Sequence, residues 1–228
     1  MRKKLRKATA LLALLGCLLP ASIAEARLVE LTSVKDEGHD HSSVYDEIDG
    51  YLNKMGYLNS QIIKTTNLTP DSFMTRLPNR EIVVTRSHGN RFLDNAGNSI
   101  GNYIVFNNGN VYNSDIENLD AGELSGVKLV AFVGCYTAAG GVSSTNTRNL
   151  VVASTEKGAK TAVGFSETIY CNTANTWTEF FFKYLSEGKN IDEATNNAVT
   201  KAENKHPFLK EGIDSMLYRG AWYYTFVD

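Results

Sequence analysis

Two stretches of this 228-residue chain run from apolar residues into a side chain capable of chemistry. "IVVTRSHGN" (82–90) ends in His88 and Gly89, and "VAFVGCYTAAGG" (130–141) presents Cys135 just before a run too small and glycine-rich to continue a strand. A thiol is a weak nucleophile until it loses its proton, and a nearby imidazole can stabilise the thiolate and later protonate a leaving amine. Gly89 can bring its backbone N–H close to a substrate carbonyl, and with the N–H of Cys135 it would form an oxyanion hole. Gly134 leaves room for a turn that lifts the cysteine out of its strand. Two plainer readings compete. His88 alone could be an ordinary surface histidine, and Cys135 could be tied to Cys171 in a disulfide, the default for a cysteine pair in an exported protein.

The dyad works only if the fold brings two strand ends together, and the patterning predicts such a fold. "RLVELTS" (27–33), "NSQIIKTT" (59–66), "EIVVTRS" (81–87), "VKLVAFVG" (127–134), "KTAVGFS" (160–166) and "MLYRGAWYYTFV" (216–227) read as strands. The segment 127–134 is almost continuously apolar, as expected of a parallel strand covered on both faces. Between them lie helical patterns. Ser43 can cap a helix bearing Val44, Ile48, Tyr51, Leu52 and Met55, closed by Gly56. Thr69 and Pro70 open a brief helix with Phe73, Met74 and Leu77, and "TNTRNLVVASTEKGA" leads into the fifth strand. Trp177, Phe180, Phe181, Tyr184 and Leu185 share one helical face, and Asn190 with Glu193 starts another helix as a capping box. "YIVF" and "VYN" flanking "NNGN" (107–110) signal a hairpin. The expected fold is an α/β class three-layer α/β/α sandwich around a mostly parallel sheet of about six strands. In such sheets ligands bind outside the carboxyl ends of the strands, where His88 and Cys135 both fall.

The first 26 residues read as a signal peptide, with the basic "MRKKLRK", an apolar stretch and "AEA" before Arg27. Residues 27–228 are then one exported, secreted domain that keeps no membrane segment. Removing Arg2, Lys3, Lys4, Arg6, Lys7 and Glu25 lowers the 23 basic and 25 acidic residues to 18 and 24, a net charge of −6. That balance argues against nucleic acid or an anionic membrane as partner.

At this point the chain resembles a family. "IVVTRSHGN" followed by "VKLVAFVGCYTAAGG" is similar to the paired His-Gly and Cys motifs of the caspase-like (clan CD) cysteine peptidases, the group of caspases, clostripain, gingipains, legumain and CHAT domains. The 47 residues from His88 to Cys135 are close to the caspase spacing of about 50. The stretch 54–77 resembles the caspase segment before the histidine strand, and 158–199 the CHAT segment after the cysteine strand. The resemblance implies a cysteine endopeptidase acting on a peptide or protein substrate, with Cys135 as nucleophile, His88 as general base and acid, and Gly89 and Cys135 amides as oxyanion donors. Val133 and Gly134 stand where a caspase has Gln-Ala, so a caspase proper is not expected. No acid directly precedes Cys135, so clostripain's arginine preference does not carry over on that ground. A non-catalytic binding module on the same fold, and a transferase or ligase using the same dyad, are the alternatives.

In this family the loop after the first strand can contribute to the pocket for the residue before the scissile bond. Asp36, Glu37 and Asp40 could there favour a lysine or arginine, the alternative being an ordinary solvated loop, and Arg86 could line the cleft or pair with a surface acid. No metal site is expected, and no cofactor. His39 with His41 could bind a metal adventitiously, and "LDNAGN" (93–98) has calcium-compatible residues without ligand spacing and reads as a turn.

Overall fold

The computed structural model describes residues 27–36, 39–40, 42–142 and 148–227. The signal-peptide reading of residues 1–26 lies outside them, as do Glu37 and His41.

In chain order, β1 (Val29–Ser33) leads through two-residue strands β2 (Lys35–Asp36) and β3 (His39–Asp40) into α1 (Ser43–Lys54). Then come β4 (Ile62–Thr66), α2 (Pro70–Arg76), β5 (Ile82–Arg86), β6 (Gly89–Leu93), β7 (Ser99–Phe106), β8 (Gly109–Tyr112) and α3 (Asn113–Glu117). The chain continues through β9 (Leu129–Val133), α4 (Leu150–Glu156), β10 (Thr161–Phe165), α5 (Cys171–Ser186), α6 (Ile191–Lys205) and β11 (Met216–Gly220). The main sheet has six strands in the order β11-β10-β9-β5-β1-β4, parallel except for β11. Alternate residues of each strand point to opposite faces, so the sheet carries two cores. One holds Leu31, Val84, Ala131 and Val133 against α1, α5 and α6 through Ile48, Trp177 and Ala194. The other holds Val83, Val130 and Phe132 against α2, α3 and α4 through Phe73, Ile116 and Leu150. This is the expected α/β/α sandwich.

The helix starts follow the sequence signals. Thr69 Oγ1 accepts the amide of Ser72 ahead of Pro70, and Asn190 and Glu193 exchange both bonds of a capping box. Ser43 is instead the first helical residue of α1, with Ser42 at the cap position. The last strand stops at Gly220, whose φ of +106° turns the chain, and Ala221 to Thr225 curl back through the Trp222–Gly220 and Tyr224–Ala221 bonds. The "NNGN" hairpin forms with Phe106 opposite Gly109 and Asn108 at φ +63°.

Besides the two-residue strands β2 and β3 in the loop after β1, β6 is unforeseen. It starts directly after His88 and pairs with β7, making a three-stranded sheet β6-β7-β8 that stands at the carboxyl end of β5. "NRFL" has no clean alternation of apolar and polar residues, so the pattern gives no strand signal there.

Candidate functional site

Strands β5 and β9 are hydrogen-bonded neighbours with Arg86 opposite Val133. His88 and Cys135 each stand two residues beyond that pair, at the sheet's carboxyl edge. Two glycines record how closely the strand ends approach. A Cβ on Gly89 would collide with the carbonyl oxygen of Cys135, and one on Gly134 would lie 2.6 Å from Ser87 O and 3.5 Å from Gly89 N. Any side chain at either position would push the two motifs apart. His88 is exposed and Cys135 half-buried.

The amide of Gly89 has a definite direction. Val105 N donates to His88 O at 2.8 Å, which makes His88 and Val105 a bonded pair of the β6–β7 ladder. Bonded and non-bonded pairs alternate in antiparallel ladders, so the next pair, Gly89 and Ile104, is non-bonded. The Gly89 N–H therefore turns away from β7.

Cys135 sits in a tight turn built by its successors. Tyr136 has φ +60°, a left-handed conformation uncommon for a residue with a side chain. It is held from four sides. Its N–H donates to Glu167 O (3.1 Å), its carbonyl accepts from Asn102 Nδ2 (2.7 Å), its hydroxyl accepts from Thr168 Oγ1 (3.0 Å), and Arg91 lies 4.4 Å over its ring. Thr137 is fully buried, and its Oγ1 reaches Phe132 O (2.9 Å) and Gly134 O (3.0 Å) while accepting Phe165 N (3.0 Å). That hydroxyl fastens the turn to β9 and β10 at once. The sulfur of Cys135 meets the backbone of Ile169, 3.5 Å from its N and 3.7 Å from its O. Asn102, Tyr136 and Thr137 escape the sequence reading. Thr137 alone leaves a trace there, as the one hydroxyl directly inside the small run after Cys135.

Cys135 and Cys171 are both free thiols, so the alternative of a disulfide between them is not formed. Arg86 does not line the cleft. It is only 3% exposed and bonds to Asn175 Oδ1 (2.9 Å) and to the carbonyls of Val133 and Cys171 (3.2 Å each). Burial lowers its pKa from the usual guanidinium value, opposed by the thiols of Cys171 and Cys135 and the hydroxyl of Tyr45. Asp36 and Asp40 lie on the short β2–β3 pair that follows β1. The Asp94 carboxylate accepts from Ala96 N, Asn98 N and Asn98 Nδ2, and the side-chain bond from Asn98 leads in holding its pKa below the usual range. That stretch is a turn, as its residue types suggest. Among the described residues no group of three or more His, Cys, Asp or Glu side chains converges as a metal site would.

A cleft of about 350 Å³ opens beside the turn that carries Cys135, lined by Arg91, Tyr136, Glu167, Thr168 and Glu211 among others. The loop carrying Glu211 is pinned to α5 by Thr173 Oγ1 donating to Leu209 O (2.6 Å) and to the segment after β10 by Glu167 N donating to Ser215 Oγ (3.2 Å).

The CHAT domain family matches residues 19–209. No curated protein matches the chain. Its fold is similar to that of the Arg specific cysteine proteinase gingipain R (RgpB), with a TM-score of 0.64 and 14% identity over 89% of this chain and 48% of that one. A complex of Porphyromonas gingivalis RgpB pro- and mature domains aligns likewise, with a TM-score of 0.64 and 13% identity over 86% and 47%. A chain of the Saccharomyces cerevisiae separase–securin complex aligns with a TM-score of 0.56 and 12% identity over 86% of this chain and 12% of that one. The present chain thus spans about half the length of the gingipain chain.

Proposed function

We propose that this chain, which belongs to the CHAT domain family of caspase-like proteins, is an exported cysteine endopeptidase working through Cys135 and His88. The observation that carries the reading is the contact of the two motif ends, where Gly89 and Gly134 let the His88 turn lie against the backbone of Cys135.

His88 takes the thiol proton, and the Cys135 sulfur attacks the carbonyl carbon of the scissile peptide. The carbonyl π electrons move to oxygen, which meets the amides of Gly89 and Cys135. Collapse of this intermediate breaks the C–N bond as His88 returns the proton to the leaving amine, leaving a thioester on Cys135. A water molecule, deprotonated by His88, attacks the thioester, and the sulfur leaves to regain its proton. The products are an amine, a carboxylate and the free thiol.

For the residue before the scissile bond the reading takes lysine or arginine. Two sets of acids are candidates, Asp36, Glu37 and Asp40 after β1 and the pair Glu167 and Glu211 in the cleft beside Tyr136. The test is hydrolysis of a broad peptide library by the wild type and by Cys135→Ala and His88→Ala. The reading predicts cleavage by the wild type after basic residues and none by Cys135→Ala. Undiminished cleavage by Cys135→Ala would sink it.

A further inference from the structure

Residue 102 breaks the pattern of its strand. Along β7 the inward positions Ile104 and Phe106 are buried and apolar, and Asn102 shares their face as a fully buried amide. Burying an amide costs free energy unless its donors and acceptors are matched. Here the partners lie on the turn after Cys135, on α4 and on α3. Asn102 Nδ2 donates to Tyr136 O (2.7 Å), Oδ1 accepts the amide of Leu150 (3.0 Å), the first residue of α4, and the backbone N–H donates to Asn113 Oδ1 (2.9 Å) on α3. The amide can sit only one way round. An N–H donates and a carbonyl accepts, so the oxygen must face Leu150 and the NH₂ must face Tyr136.

What this amide holds matters for Cys135. Tyr136, the next residue, has φ +60°, a conformation that crowds the Cβ of an ordinary residue and needs support to persist. The peptide entering Tyr136 carries the Cys135 carbonyl, against which Gly89 packs, and its N–H is fixed on Glu167 O (3.1 Å). The peptide leaving Tyr136 is fixed by its carbonyl. Within the turn that carbonyl takes the Ala139 amide (3.0 Å), and Asn102 is its anchor from outside the turn. Register adds a second contact from the same rung of the accessory sheet, because Asn102 pairs with Arg91, the residue over the Tyr136 ring. The anchor is itself firm: Asn113, which receives the Asn102 N–H, donates from Nδ2 to Glu117 Oε1 (2.7 Å).

We propose that Asn102 is a positioning residue for Cys135: its buried amide locks the left-handed Tyr136 to the start of α4 and so holds the cysteine in place at the end of β9. The proposal rests on reading Cys135 as the nucleophile, and two measurements on the full chain test it, peptide hydrolysis and amide hydrogen exchange followed by mass spectrometry. Asn102→Asp separates the two bonds of the side chain. Near about pH 8, where a carboxyl is ionised, it still accepts from Leu150 N and no longer donates to Tyr136 O. If the amide served only to stabilise α4, this variant would behave as wild type. As a positioning residue it should instead lower kcat by about tenfold or more, with KM within about twofold. Exchange in 136–139 should quicken by about tenfold, while the Leu150 amide and β9 keep their protection. Wild-type kcat in the folded variant, or exchange that quickens equally in β9, overturns the proposal. Should Asn102→Asp not fold, Asn102→Ala carries the same two readings, losing kcat and the protection of 136–139 together with that of Leu150 while β9 stays protected; wild-type kcat there overturns the proposal as well. Should the wild type cleave no peptide, the reading of Cys135 fails, and the exchange data still decide whether Asn102 holds the turn.

Discussion

The two ends of β5 treat charge in opposite ways. At the amino end Glu81 meets Arg27 (3.0 Å) and Lys128, and one strand over Glu30, 1% exposed, takes Arg76 and Arg80 at 3.0 Å each. Each buried carboxylate there has two cations. At the carboxyl end Arg86 is buried among carbonyls, Ser33 and Ser87 keep buried hydroxyls without partners among the described residues, and Tyr136 holds a left-handed backbone. At the amino end each buried carboxylate is matched by cations, whereas the buried Arg86 guanidinium at the carboxyl end rests on carbonyls and an amide oxygen. Unsatisfied groups and strained backbone are costly and persist where the surroundings over-determine them, which ties them to sites of function. The difference teaches where this fold spends its stability.

The comparison predicts that substitutions at the carboxyl end change chemistry and those at the amino end change stability. The largest effect is Cys135→Ala, for which peptide cleavage should fall by about 10³-fold or more with a melting temperature near wild type. Next, Glu30→Ala leaves two arginines facing an emptied buried site and should cost about 3–5 kcal/mol in urea unfolding. The kcat/KM of the folded fraction should stay within about twofold of wild type, since sites without shared partners act independently. A large loss of kcat/KM in folded Glu30→Ala would mean the two ends are coupled and would break the comparison.

How much of this could be read from the chain follows the same division. Apolar runs announce four of the five parallel strands because buried strands need no alternation, the half-exposed edge strand β4 being the exception, and the caps at Thr69 and Asn190 are legible because one side chain meets one nearby amide. His88, Gly89 and Cys135 stood out because small residues flank them. The supports did not. Asn102 reaches Tyr136 across 34 residues and Thr137 reaches Phe165 across 28, and no local pattern encodes a partner that distant. Arg86 misled for a related reason: an arginine near a site suggests a ligand contact, and only the packing of α5 over the sheet shows its guanidinium turned inward. Strand β6 was missed because its pairing depends on where β7 returns, not on its own residues.

Thr137→Val tests the carboxyl end at a smaller scale. The substitution keeps the side chain's shape and removes the hydroxyl, so Phe132 O and Gly134 O lose a donor and Phe165 N loses an acceptor inside a fully buried site. Buried groups left unsatisfied cost about 1–3 kcal/mol, so unfolding should shift by that amount. If the hydroxyl merely added stability, kcat/KM would be untouched once the protein is folded. Because it fastens the turn that presents Cys135, kcat/KM should fall about tenfold, and a displacement near 1 Å is enough for such a loss. Arg91→Ala should act more weakly in the same direction, since a cation over an accessible ring contributes only about 0.5–1 kcal/mol and Tyr136 keeps its other three contacts. If Arg91→Ala proved more damaging to kcat/KM than Thr137→Val, the cleft lining and not the turn would be the sensitive part of this end. The ordering of the two variants therefore separates positioning of the sulfur from recognition of the substrate.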